Sequence, residues 1–201
     1  MPDQPADRRA DTRVPVHPPI ASRWSPRAFD PDAIVTEEQL IALLEAARWA
    51  ATWGNVQPVR FVVGRRGEPA FDRLSGLLRR GNSYARTAGA LVLVCADEGE
   101  DERTALYSTF DAGAAVANLS IQAVALGLIA HPMAGFDVDG ARAAFELAEG
   151  VQPLAIVAVG TLGDYARMPP EIAERDGRPR ERLPLEQVVL NWSGAGFPQL
   201  R

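Results

Sequence analysis

The chain alternates between stretches of helical periodicity and short, almost unbroken apolar runs. Thr36-Glu37-Glu38-Gln39 has the form of a capping box, in which Thr36 caps a helix and Gln39 reaches back to it. Leu40, Leu43, Leu44 and Ala47 then fall on one face, which predicts a helix to about Ala50. Pro69 to Arg80 reads as a second helix, with Phe71, Leu74, Leu77 and Leu78 on its apolar side. A long third helix is predicted from Thr104 to Leu128, with Leu106, Phe110, Gly113, Ala117, Ile121 and Leu128 near helical spacing. Its middle is crowded with small residues, Ala112 to Ala115 and Ala117, which permit close approach of another helix within the core or across a subunit boundary. Asp139 to Leu147 is a further short helix.

Three segments read as strands. One starts at Arg60 to Val63, and Ala90 to Ala96 and Leu154 to Gly160 are apolar enough for central strands buried on both faces. Asn55 to Pro58 reads as a loop, and His131 to Asp137 contains a Pro/Gly turn. The irregular alternation of helices and strands predicts an α+β fold, with a mixed central sheet flanked by helices. Residues 18–201 are expected to form a single domain, preceded by a flexible tail over residues 1–17 that is rich in Asp, Arg and Pro.

Composition narrows the function. A formal net charge of −5 argues against a general nucleic-acid binder, which would carry a basic patch. No apolar run reaches the ~20 residues that span a bilayer, and residues 1–13 lack an apolar signal region, so a cytoplasmic location is the default expectation. The lone Cys95, inside an apolar run, reads as a structural thiol and offers neither an intramolecular disulfide nor a multi-thiolate metal site. His17 and His131 stand in no motif that would pair them with a nucleophile or a metal, and no P-loop or dinucleotide fingerprint is present.

The candidate chemistry lies in four separated segments. Arg23-Trp24-Ser25-Pro26-Arg27 and Arg180-Glu181-Arg182 place guanidinium groups near the two ends of the chain, where they could converge on one anion; planar guanidinium suits bidentate capture of phosphate. Alternate positions of an extended segment share a side, so Arg180 and Arg182 could reach the same group. Asn55-Val56-Gln57-Pro58 supplies side-chain amides that both donate and accept. Pro132-Met133-Ala134-Gly135 is the turn, where Gly135 lets the backbone approach a flat ligand. Taken singly, these are also what a solvated basic segment, a loop amide, an ordinary turn and an Arg-rich loop present.

Together and in this order, the four segments resemble the nitroreductase family of flavin mononucleotide (FMN) enzymes over roughly residues 18 to 192. Asn55, Gln57, Pro58 and Phe61 match the family's second motif, while Val59 replaces its usual aromatic and Ala134 stands where Glu is frequent. The resemblance implies an FMN site built from Arg23, Trp24, Ser25, Arg27, Asn55, Gln57, Pro132, Met133, Ala134, Gly135, Arg180 and Arg182. Arg23, Arg180 and Arg182 would hold phosphate or ribityl oxygens, Ser25 the pyrimidine edge, and Arg27 the flavin N1/O2 locus. Backbone N–H groups of the 132–135 turn would approach N5. The implied activity is an oxidoreductase with NAD(P)H as transient donor, working in two half-reactions, with no separate catalytic side chain and no metal. The acceptor would be a small conjugated molecule such as a nitroaromatic or quinone. Of Trp49, Trp53, Tyr84 and Tyr107, whose rings could line its pocket, Trp53 is the first candidate because it adjoins the Asn55 loop, whereas Trp49 at the end of an amphipathic helix reads as core or interface. The resemblance also implies a homodimer with its sites at the interface. A flavin-binding sensor or storage protein with little turnover is the alternative.

Overall fold

The computed structural model describes residues 8–191. The first seven residues of the expected tail, and the expected domain beyond residue 191, lie outside the described residues. The helices are α1 (Pro18–Ser22), α2 (Glu37–Arg48), α3 (Pro69–Leu77), α4 (Glu102–Ala125), α5 (Val138–Ala144), α6 (Pro170–Gly177) and α7 (Leu185–Val188), and the strands are β1 (Val59–Arg65), β2 (Ala90–Asp97), β3 (Ile129–Met133) and β4 (Val151–Gly160). The capping box forms as the sequence predicts. Gln39 N donates to Thr36 Oγ1 at 3.1 Å and Thr36 N to Gln39 Oε1 at 2.9 Å, satisfying two backbone donors at the start of α2.

The four strands pair in the order β1-β2-β4-β3. Every pairing among the described strands is antiparallel, which corrects the expected mixed sheet. The apolar density of β2 and β4 reports burial on two faces, and burial carries no information about strand direction. Alternate residues of β2 enter two separate cores. Ala90, Val92, Val94 and Ala96 pack with Leu43 of α2 and Ala115, Leu119 and Ala123 of α4, whereas Leu91, Leu93 and Cys95 pack with Phe71 and Leu74 of α3 and Ala141 of α5. A bulge at Leu154, where Val94 pairs with Ala155 but Cys95 with Pro153, reverses this alternation in β4. Leu154 therefore faces the same core as Val157 and Val159, and Val151 faces that of Ile156 and Ala158.

The segment read as a turn at residues 132 and 133 is strand β3. It lies at a sheet edge, paired only with β4, and an edge strand leaves alternate N–H groups outside the ladder, where a proline is tolerated. Its five residues were too few, and Pro132 too suggestive of a turn, for the pattern to signal a strand. Among the described residues no helix is long and apolar enough to cross a membrane.

Candidate functional site

The end of α1 leaves Arg23 in extended backbone (φ −65°, ψ 124°), so the 23–27 segment runs away from the helix rather than continuing it. Arg23 is half-buried, and its Nη1 donates to Ser25 Oγ at 3.3 Å. The C-terminal arginine segment lies directly against it. Arg180 donates to the backbone carbonyls of Arg23 (2.9 Å), Ala21 (3.3 Å) and Arg8. Arg182, exposed, donates to the carbonyl of Glu181 at 2.8 Å.

Carbonyls and the Ser25 hydroxyl, not carboxylates, therefore receive these guanidinium groups. Among the described residues, none of Arg8, Arg23, Arg180 and Arg182 forms an ion pair with an acidic side chain. Burial, and then the charge of Arg182, pull the pKa of Arg23 below its ordinary value. Burial lowers that of Arg180 as well, followed by repulsion from Arg23, Arg182 and Arg8. Mutually repelling cations held together by backbone contacts, with no carboxylate paired to them among the described residues, form a site suited to an anion.

Arg27, four residues on, is differently placed. Its backbone N–H donates to Asp176 Oδ2 at 2.6 Å and its Nη1 to Asp176 Oδ1 at 2.9 Å. Tyr165 Oη donates to the same carboxylate at 2.8 Å. The Asp176 side chain is fully buried, so a single carboxylate from α6 fixes the segment that carries Arg23 relative to the segment that carries Arg180. The sequence reading missed this residue; an acidic residue amid Arg175 and Arg178 was the only signal for it.

His131, also unassigned from the sequence, ties β3 to the same segment. Its Nδ1 lies 2.9 Å from the Pro26 carbonyl and its Nε2 3.0 Å from Tyr84 Oη. A carbonyl only accepts, so neutral His131 carries its proton on Nδ1 and accepts from Tyr84 at Nε2. Burial pushes the Tyr84 hydroxyl up to about 12, which keeps it a donor. Burial likewise lowers the His131 pKa from 6.5, reinforced by Arg27 and Arg175 and opposed by the Pro26 bond and Asp176. The unfolded chain then binds the extra proton first. Stability from this group is complete above the unfolded value of 6.5 and falls as pH drops through it. Urea unfolding between pH 8 and pH 5.5 is expected to show this loss in the wild type and a shallower slope in His131→Asn, whose amide still reaches the Pro26 carbonyl.

The Asn55 loop is held open in a costly conformation. Gly54, Asn55 and Gln57 have φ of 54°, 57° and 55°, left-handed backbone that a glutamine seldom adopts. Buried Asp111 of α4 anchors the loop by accepting from Trp53 N at 3.0 Å, and Trp53 stacks on Tyr107 with ring centroids 5.6 Å apart. Both rings are partly exposed, as a platform for a flat molecule requires, whereas Tyr84 is bonded to His131 and Trp49 is 75% exposed at the end of α2. Asn55 and Gln57 are exposed, with Gln57 Nε2 3.4 Å from Asn55 Oδ1. Gln57 lines a groove of about 470 Å³ between α2 and β1, with Leu44, Arg48 and Phe61.

Pro132 shares a smaller cavity of about 300 Å³ with Arg23, Ile20 and the small-residue face of α4 at Gly113 and Ala117. Met133 is buried in the core with Phe71 and Leu74 of α3 and Ala141 of α5. Ala134 is exposed, and the Gly135 carbonyl accepts from Asn82 Nδ2 at 2.9 Å. A Cβ on Gly135 would lie 2.7 Å from that amide, which gives the glycine a structural reason within the chain itself. The structure thus gathers Arg23, Trp24, Ser25, Arg180 and Arg182 at one place and puts Pro132 beside Arg23. No described hydrogen bond links the Asn55–Gln57 loop to that cluster within one chain.

The family model described as Nitroreductase family matches residues 20–82 and 69–161, a span that stops short of the Arg180 segment. A 15.4 kDa protein of Mycolicibacterium smegmatis, with no described activity, is 63% identical over 140 residues, covering 66% of this chain and 95% of its own length. A Streptomyces coelicolor protein provisionally named NADH dehydrogenase/NAD(P)H nitroreductase is 31% identical over 160 residues, covering 69% and 81%. A crystal structure of an oxidoreductase containing FMN superposes with a TM-score of 0.83 at 33% identity, covering 97% of this chain and 100% of the other. A Desulfovibrio desulfuricans protein solved in complex with FMN gives 0.72 at 29% identity, over 92% and 100%.

Proposed function

Because this chain belongs to the nitroreductase family, we propose that it is an FMN-dependent oxidoreductase passing electrons from NAD(P)H to a small conjugated acceptor. The observation that carries the reading is the arginine cluster, which among the described residues has no carboxylate paired to it: Arg23, Arg180 and Arg182 fit a phosphate monoester, the group that distinguishes FMN from its neutral parent vitamin. When bound, FMN supplies the hydride-accepting and hydride-donating chemistry.

The chain's own residues bind and orient. Arg23, Arg180 and Arg182 hold the phosphate end, with Trp24 and Ser25 beside them, and Pro132 to Gly135 bring backbone close to the ring. Asn55 and Gln57 offer amides to the ring's mixed donor and acceptor edge, and their left-handed backbone keeps those amides exposed. Arg27, whose guanidinium is paired with the buried Asp176, would stand at the pyrimidine end and would favour negative charge there. Trp53 and Tyr107 supply the stacking surface for a nitroaromatic or quinone.

Assembly as a homodimer is part of the proposal. Leu106 and Phe110 of α4 are 67% and 73% exposed, and Gly113 and Ala117 continue the same exposed stripe. Packing two such stripes together would bury these side chains and bring one subunit's Asn55 loop toward the other's arginine cluster.

The test is the visible spectrum of the protein after incubation with FMN and gel filtration, followed by anaerobic NADH or NADPH. A retained band that bleaches is expected. A retained band that persists with both donors would replace turnover by flavin storage or sensing, and no retained band would reject the assignment of the cluster.

A further inference from the structure

The N-terminal segment, read from the sequence as part of a flexible tail, contacts both arginine-bearing segments at once. Arg8 Nη2 donates to the Arg178 carbonyl at 2.7 Å, and the Arg8 carbonyl accepts from Arg180. Ala10 N donates to the Ala21 carbonyl at 2.8 Å, and Arg13 pairs with Glu186 of α7. Residues 8 to 13 therefore bridge the 21–24 segment and the 178–186 segment, which are otherwise distant in sequence.

The Arg8 guanidinium lies 4.7 Å from the centroid of the Trp24 ring, a cation–π arrangement that holds it beside the cluster. Its Nε is buried and has no hydrogen-bond partner. Stabilising the bare protein would favour a carboxylate near so much positive charge, yet among the described residues none pairs with Arg8, Arg23, Arg180 or Arg182. A buried N–H left over in such a group is the feature a dianion would satisfy.

We propose that residues 8–13 form a clasp over the anion site, with Arg8 as its fourth guanidinium, so that the N-terminal segment selects and retains a phosphate monoester. The inference rests on the flavin-phosphate reading of the cluster for the identity of the ligand, but not for the existence of an anion site. Arg8 acts in two ways. Its backbone carbonyl and Nη2 position Arg180 and Arg178, and its charge adds to the field at the phosphate. The clasp also holds repelling cations in place before the ligand arrives, which lowers the ordering cost of binding.

The experiment compares the full chain with Arg8→Ala, using FMN, riboflavin and inorganic phosphate as probes. Flavin fluorescence gives the two dissociation constants, and thermal shift reports stabilisation of the flavin-free protein by phosphate. Loss of one charge-assisted contact should raise the FMN dissociation constant about tenfold or more, leave that of riboflavin within about twofold, and at least halve the shift caused by phosphate. Equal losses for FMN and riboflavin would reduce Arg8 to a general structural role and overturn the proposal, as would an unchanged FMN constant. If the wild type takes up no flavin at all, the flavin reading fails separately and the phosphate arm decides. Stabilisation by phosphate in the full chain and not in Arg8→Ala then supports the clasp, and the same response in both removes it.

Discussion

Asp176→Asn is expected to destabilise the protein by about 3–5 kcal/mol, the usual cost of removing one partner from a buried ion pair. The carboxylate is fully buried and receives three donors: the Arg27 backbone N–H, Arg27 Nη1 and Tyr165 Oη. An amide keeps the volume but loses the charge, and its NH₂ group must face one of those donors. Arg27 would keep its charge with its side chain only 24% exposed and no other described acid paired to it. Its Nε already lacks a partner, so the site has no spare acceptor to compensate. Against a typical total of 5–15 kcal/mol, the loss is a large share. Urea unfolding should show a lower midpoint with an unchanged slope. A change of less than about 1 kcal/mol would place Asp176 among ordinary solvent-screened pairs. FMN retention is expected to fall with stability, because α6 then no longer fixes the Arg180 segment against Arg23.

Arg23→Ala is expected to separate binding from stability. On the proposed assignment it removes a charge-assisted contact to the FMN phosphate or ribityl chain, worth roughly 1.5–3 kcal/mol, or about a ten- to hundredfold rise in the dissociation constant. The flavin-free protein should lose little, because Arg23 makes only a 3.3 Å bond to Ser25 and is repelled by Arg182. Its backbone carbonyl, which Arg180 uses, is retained by alanine. Flavin titration and thermal unfolding of the apo-protein check both halves. Unaltered FMN affinity would remove Arg23 from the site, whereas a large apo-state destabilisation would recast it as a structural residue.

The two substitutions contrast because the two arginines have different partners. Arg23 and Arg27 are four residues apart and look equivalent in the sequence. One faces other cations and the other faces a buried acid, and that difference alone reverses which property each substitution is expected to change.

What the sequence determined by itself was local or periodic. The Thr36–Gln39 box needs only residues three apart, and it forms with both predicted bonds. The apolar runs of β2 and β4 follow from burial on both faces. The spacing of Leu106, Phe110, Gly113 and Ala117 marked the α4 helix correctly, although in the folded chain that stripe is exposed and the buried face is that of Ala112, Ala115, Leu119 and Ala123. The convergence of Arg23 with Arg180 and Arg182 was also legible, although through family likeness rather than spacing.

Tertiary structure alone decided the rest. Strand direction was open because apolar runs record burial but not the neighbour's polarity. Strand β3 was hidden because Pro132 is excluded only from central positions, and edge position is a property of the assembled sheet. Asp176 meets Arg27 across 149 residues, His131 meets Pro26 across 105, and Arg8 meets Arg178 across 170. Nothing in local propensity encodes such pairs. They exist because the sheet and its two cores bring residues 8–27 against residues 165–186.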